Sequence, residues 1–165
     1  MLDVDYRPDR AVAAAVLAVS LSSATAAPGG ERVCVVSSVA AYEPGAFFKR
    51  ELPCLLAVLR DIDEPLAAIV IDGYVWLEHG VPGLGAHLHA ALGGDVLIIG
   101  VAKRPYRDND AALSVLRGES ETPLFVTAAG CDPASAAEAV RAMHGAFRIP
   151  TLIKLADRIC RDAAG

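Results

Sequence analysis

The sequence predicts an α/β domain whose mixed sheet joins an antiparallel three-strand meander to parallel strands, with helices flanking it. Three observations carry this expectation. The run Ala67-Ala68-Ile69-Val70-Ile71-Asp72-Gly73 is short, apolar and rich in β-branched residues, and ends on a carboxylate and a glycine. That is the pattern of a strand buried on both faces. A second stretch, Met1-Leu2-Asp3-Val4-Asp5-Tyr6, carries acids in the same setting. Ahead of the first helical periodicity, three strand-like segments follow one another across turns.

At 165 residues, 54% hydrophobic and 21% charged, the chain suits a single domain over 1–165 with a sizeable core. The net charge of -5 argues against broad non-specific affinity for nucleic acid. It leaves room for a local basic groove around an acidic, metal-binding centre. The four cysteines, Cys34, Cys54, Cys131 and Cys160, have no CxxC spacing and read as buried free thiols in a reduced, cytoplasmic setting. Ala11 to Ala27 imitates the core of a secretory signal, but Asp3, Asp5 and Asp9 outnumber Arg7 and Arg10 ahead of it, and a signal begins net positive. A strand hairpin fits better. No run reaches the roughly 18 apolar residues that span a membrane, so no membrane partner is expected.

The first strand, Leu2 to Tyr6, turns at Arg7-Pro8-Asp9-Arg10 into a second, Ala11 to Ser20. Ala27-Pro28-Gly29-Gly30 turns the chain into a third, Arg32 to Val39. After the loop Tyr42-Glu43-Pro44-Gly45, apolar Phe47, Leu52, Leu55, Leu56 and Leu59 share a helical face over 46–60. Pro53 is expected to kink that helix or to start a new one within it. Asp61 to Pro65 is a polar break before the Asp72 strand. Gly73 to Gly85 is glycine-rich and poorly periodic, a helix over 84–92 ends at Gly93-Gly94, and Asp95 to Val101 is another buried strand. A basic, then polar loop over 102–110 leads to a weak hairpin of 112–117 with 123–127. Asp132 as N-cap and Pro133 at the first position open a helix through Met143, and Thr151 to Asp162 is a last, basic helix. This order, with acids on the first and fourth strands, suggests a ribonuclease-H-like sheet. There the two strands lie side by side, so Asp3 meets Asp72.

Asp72 either caps the turn that follows it or, at the carboxyl end of a strand in an open sheet, lines a ligand site. Two strand-borne carboxylates brought together repel unless a divalent cation neutralises them. Magnesium suits such a pair, since it takes oxygen ligands and is completed by substrate phosphate. Glu51, on the first helix, is a candidate third ligand, and Lys103 a candidate cation for phosphate charge. Spacing alone fits phosphodiester hydrolysis, a phosphatase or a structural ion site. Asp5 is expected to face away from Asp3. Arg148, Lys154, Arg158 and Arg161 read as a solvated helix face.

Several blocks of the chain resemble one family. Tyr42-Glu43-Pro44-Gly45-Ala46-Phe47-Phe48-Lys49-Arg50-Glu51-Leu52-Pro53 is similar to the YxPGxxxxRExP block of endonuclease V. Val70-Ile71-Asp72-Gly73 resembles that family's VDG, Gly100-Val101-Ala102-Lys103 its GVAK, and Leu2-Asp3-Val4-Asp5-Tyr6 its first strand. Pro123-Leu124-Phe125-Val126, Arg148-Ile149-Pro150 and Ala156-Asp157 resemble its C-terminal blocks. The resemblance implies a short, divergent member of a family of repair nucleases. These recognise a deaminated purine, chiefly inosine, in DNA or RNA and cut on its 3′ side with magnesium or manganese. Carried over by position, Asp3, Glu51 and Asp72 are the metal-site acids and Lys103 the phosphate-facing cation. Tyr42, with Pro44 and Gly45, matches the wedge that fills the gap left by a flipped base. Gly83 and Gly85 would admit the extruded base, and His87 falls on a family histidine position.

The departures are specific. Where the family continues its VDG with His or Asn, Gly and then a histidine, this chain has Tyr74, Val75 and Glu78. Gly80-Val81-Pro82 replaces an arginine-rich patch. A late Gly-His, whose histidine lies at the family's metal site, reads Gly130-Cys131. The resemblance therefore implies a metal-dependent endonuclease of reduced or altered activity. The alternative is a catalytically inactive member that binds nucleic acid or a protein through the same surface.

Overall fold

The computed structural model describes residues 1–37, 40, 43 and 46–163. Strand β1 (Leu2–Tyr6) turns across Arg7 and Arg10, whose backbone groups bond at 2.8 Å, into β2 (Ala11–Val16), and β3 (Glu31–Val36) returns antiparallel to β2. The second strand stops at Val16, short of Ser20. Ser20, Ser22 and Ser23 bond to one another there and compete with the ladder. Helix α1 (Phe48–Leu59) runs through Pro53 as one element, and no second helix starts there. One backbone bond is lost at the proline, but burial of Cys54, Leu55 and Val58 holds the helix on the sheet.

Strand β4 (Ala68–Asp72) is followed by a short hairpin, β5 (Trp76–Glu78) with β6 (Val81–Pro82), in the stretch the sequence left without a period. Helix α2 (Leu84–Ala91), β7 (Leu97–Ala102), β8 (Leu113–Val115), β9 (Leu124–Ala129), α3 (Pro133–Ala142) and α4 (Thr151–Asp162) complete the order. Asp132 caps α3 as expected, accepting the Ser135 N–H at 2.9 Å. The main sheet runs β3-β2-β1-β4-β7-β9-β8. The meander is antiparallel, β1, β4 and β7 are parallel, and β9 pairs antiparallel with both β7 and β8.

Both faces of the sheet are covered, which the period of two along each strand explains. Ala11, Ala13 and Ala15 of β2 face α1 together with Ile69, Ile71 and Ile98, and α2 adds Leu84 and Leu88 to that layer. Val12, Ala14 and Val16 face α4 at Leu152, Ala156 and Cys160, while Val70, Ile99 and Val101 pack against α3 and Ile153. The first part of the run that imitates a secretory signal, Ala11–Val16, is thus a strand buried on both sides. Among the described residues no helix is long and apolar enough to cross a membrane.

One strap closes the sheet beyond Asp72. Gly73 has φ +131°, and a Cβ at Gly100 would come within 2.6 Å of the Gly73 carbonyl. The buried Val75 N–H donates to Thr127 Oγ1 at 2.8 Å. A Cβ at Gly83 would lie 2.6 Å from the Tyr74 carbonyl, and one at Gly85 2.6 Å from Val75 Cγ2, so both glycines let α2 sit on the strap. Thr127→Val keeps the shape and removes the acceptor, leaving the Val75 N–H buried and unpaired. The expected cost is about 1–3 kcal/mol, read as a lower urea midpoint; an unchanged midpoint means the strap does not depend on this bond.

Candidate active site

Strands β1 and β4 touch through one residue pair, Leu2 and Ile71, and an acid follows each. Asp3 and Asp72 therefore stand side by side where β4 ends. Leu2, Val4 and Tyr6 turn to the α1 layer, whereas Asp3 and Asp5 lie across from Ala14 and Val12 on the α4 side. Asp5 thus shares the face of Asp3 and does not oppose it, because side chains two apart on a strand point the same way. It takes no part in the acid cluster. Its carboxylate pairs with Arg7 at 3.2 Å, and Arg7 also donates to the Cys160 and Arg161 carbonyls at the end of α4, where a cation is favoured.

Glu51 reaches the two aspartates from α1, only 6% exposed. It is not a helix-surface acid paired with its neighbours. Lys49 pairs instead with Glu43 at 2.9 Å, and the Arg50 guanidinium lies 4.0 Å from the centre of the Tyr6 ring. Burial, then the charges of Asp3 and Asp72, push the Glu51 carboxyl up to about 8. Burial and the charge of Asp72 push Asp3 up to about 6, against the pull of the Val4 N–H and of Lys103. These are the marks of acids that share a site without enough positive charge.

Lys103 follows β7 at the same end of the sheet, since β4 and β7 are parallel and Asp72 is level with Val101. Its ammonium donates to Asp72 Oδ2 at 2.5 Å. Burial pulls its pKa down, but Asp72, Asp3 and Asp157 more than reverse that and leave it raised. The Asp72 and Lys103 side chains keep 29% and 36% exposure, so the pair opens to solvent. Arg148 is not on a solvated helix face. Its guanidinium donates to the Lys103 and Pro123 carbonyls at 2.5 and 2.8 Å and so fixes the backbone behind the lysine.

Asp157, which the sequence marks only as part of a C-terminal block and with no role of its own, is a further acid at the site. It lies on α4 four residues beyond Ile153 and three before Cys160, both buried, and its charge acts on Asp3 and Lys103. An acid on the inward edge of an amphipathic helix was the available signal. Cys131, in contrast, follows β9 at the far end of the sheet, where Ala129 pairs with Ile98. The departure at Gly130-Cys131 is remote from the acids.

The remaining candidates fall in two groups. Tyr42, Pro44 and Gly45 lie outside the described residues. Gly83 and Gly85 open α2, and His87 stacks on Phe48 of α1 with ring centres 3.7 Å apart and planes at 16°. What a Cβ at either glycine would meet is this chain's own strap.

The donor set suits a hard divalent cation: three carboxylates, two from strands and one from a helix, with no thiolate or imidazole among them. Glu51 Oε2 is buried and has no hydrogen-bond partner among the described residues, an orphaned acceptor that a cation would satisfy. Among the described residues, no three acidic, histidine or cysteine side chains are grouped closely enough to hold a metal ion as they stand.

The sequence model of endonuclease V matches residues 1–115. Endonuclease V of Streptomyces coelicolor is 31% identical over 98% of this chain and 77% of its own length. That of Streptomyces avermitilis is 33% identical over 98% and 78%, and its crystal structure superposes with a TM-score of 0.76. Endonuclease V of Ciona intestinalis, solved with a 24mer DNA containing an inosine, has the same fold at 22% identity, with a TM-score of 0.77 over 97% of this chain and 82% of that one. Acids side by side on neighbouring strands and similarity along nearly the whole chain agree: this chain belongs to the endonuclease V family.

Proposed function

We propose that the chain is a metal-dependent endonuclease that hydrolyses a phosphodiester bond 3′ to a deaminated base, inosine, in DNA or RNA. The observation that carries this reading is the convergence of Asp3 and Asp72 with the buried, unpartnered Glu51 carboxylate. Asp3, Asp72 and Glu51 would hold magnesium or manganese, with Asp157 beside them. When bound, the cation supplies positive charge that offsets the charge developing on the phosphate.

The chain's own groups do the rest. Lys103, held by Asp72 and from behind by Arg148, is placed to receive a non-bridging phosphate oxygen. Glu51, raised to about 8 with no cation beside it, would give up its proton to hold one. Tyr42, Pro44 and Gly45 would fill the gap left by the flipped base, while Gly83 and Gly85 serve the packing of α2 on the strap and His87 packs on Phe48. Inosine in the DNA bound by the Ciona relative supports the choice of substrate.

The test is cleavage of single-stranded inosine oligonucleotides, DNA and RNA, with magnesium or manganese and with EDTA. Wild type is expected to cut and EDTA to stop it. Asp72→Ala should abolish turnover, and Lys103→Ala should lower kcat by about 10²–10³-fold. Cleavage that survives both EDTA and Asp72→Ala removes the reading.

Asp3 and Glu51 must lose protons to hold a cation, so at limiting magnesium the rate should climb between about pH 6 and 8. Raising magnesium should move that rise to lower pH; a profile indifferent to magnesium argues against these acids as ligands.

Without metal, the raised Glu51 pKa has a defined sign. Between the ordinary value of 4.5 and about 8 the unfolded chain releases this proton and the folded chain keeps it. Stability therefore falls as pH rises through that window, by about 1.4 kcal/mol per unit at most. Glu51→Gln in EDTA should melt higher than wild type at pH 7.5 and equally at pH 4. An equal or lower melting temperature at pH 7.5 would mean that Glu51 carries no such burden.

A further inference from the structure

The segment between α3 and α4 is held by a side chain that the proposed reaction does not use. Arg117, 5% exposed, donates to the carbonyls of Phe147 at 2.8 Å, Gly145 and Arg148 at 3.2 Å, Arg141 at 3.4 Å and Met143. The rigid five-donor fork of a guanidinium is spent on backbone oxygens here. Gly118, at φ +59°, lets the two backbones meet, since a Cβ there would collide with the Ala146 carbonyl.

On this pinned segment Phe147 stands 75% exposed. Aromatic rings of its size are ordinarily well buried. It rims a groove of about 790 Å³ whose walls include Lys103, Arg148, Lys154 and Asp157. Lys103 and Asp157 also border the acid cluster, so the groove continues from the candidate active site. Lys154 is exposed, and Asp157 is matched by Arg161 at 2.7 Å. Glu119 adds an acid to the walls.

We propose that Phe147 is a stacking platform for a base of the substrate strand, the one adjoining the phosphate that docks at Lys103. This rests on the nuclease reading and extends it to a named subsite. Strands bound without sequence readout need cations for the backbone and aromatic faces for the bases. The groove offers both. Because Arg117 fixes the loop through its carbonyls, the ring does not have to pack to hold the loop in place, and little backbone freedom is left to lose on binding.

The experiment uses single-stranded inosine oligonucleotides with one 2-aminopurine stepped along the strand, titrated with the full-length protein. Wild type is expected to quench the emission strongly at one position beside the scissile phosphate. Phe147→Trp should keep that quenching. Phe147→Ala and Phe147→Leu should lose it and raise Kd about tenfold, with melting temperatures unchanged. Phe147-dependent quenching without cleavage supports the platform and removes only the nuclease reading. Equal Kd and equal quenching in wild type and Phe147→Ala, or no oligonucleotide binding by wild type, overturns the proposal.

Discussion

Strands β1 and β4 meet at Leu2 and Ile71, and the acids come one residue later on each. That register is the constraint from which the candidate site follows. A shift of one residue in either strand would turn its acid to the opposite face of the sheet. Asp3 would then enter the α1 layer among Leu55 and Ile71, where a carboxylate without a partner costs more than the roughly 2–7 kcal/mol of an unpaired neutral polar group. The apolar side chains of Leu2, Val4, Ile69 and Ile71 exclude that slip. The same packing that buries the core therefore aligns the acids.

The cluster is electrostatically incomplete by construction. Lys103 answers Asp72, while burial and the charge of Asp72 raise Asp3, and burial with the charges of Asp3 and Asp72 raises Glu51. A fold keeps such a cost only where the rest of the core outweighs it. Here two covered faces do so, and the acids sit at the mouth of the sheet, open on the side of Asp72 and Lys103.

Much of this was legible because strands announce themselves. β-branched runs ending in Asp72 and Val101, and turns at Pro8 and Gly29, determine the order of the sheet with little help from context. Asp3 and Asp72 were legible for the same reason. Most of what escaped lay on helices and loops, where tertiary contacts override local pattern. Arg148 read as part of a solvated helix face, yet it binds backbone oxygens from within, as does Arg117, which local pattern did not mark. Asp157 lay in a helix crowded with charge. The β5–β6 hairpin is too short to carry a period, and the face of Asp5 is set by the two-residue repeat that it shares with Asp3. No second helix starts at Pro53, since side-chain burial on α1 outweighs one missing bond.

Strand β2 has one further consequence. Its inward residues on the two faces are alanines and valines, with Ala13 under α1 and Ala14 under α4. The first of those helices carries Glu51 and the second Asp157. The strand acts as a shim whose thickness sets the gap between two acids that never touch it. Enlarging Ala13 or Ala14 would spread the jaws of the site from behind, so the tolerances of the chemistry are written into methyl groups a full layer away.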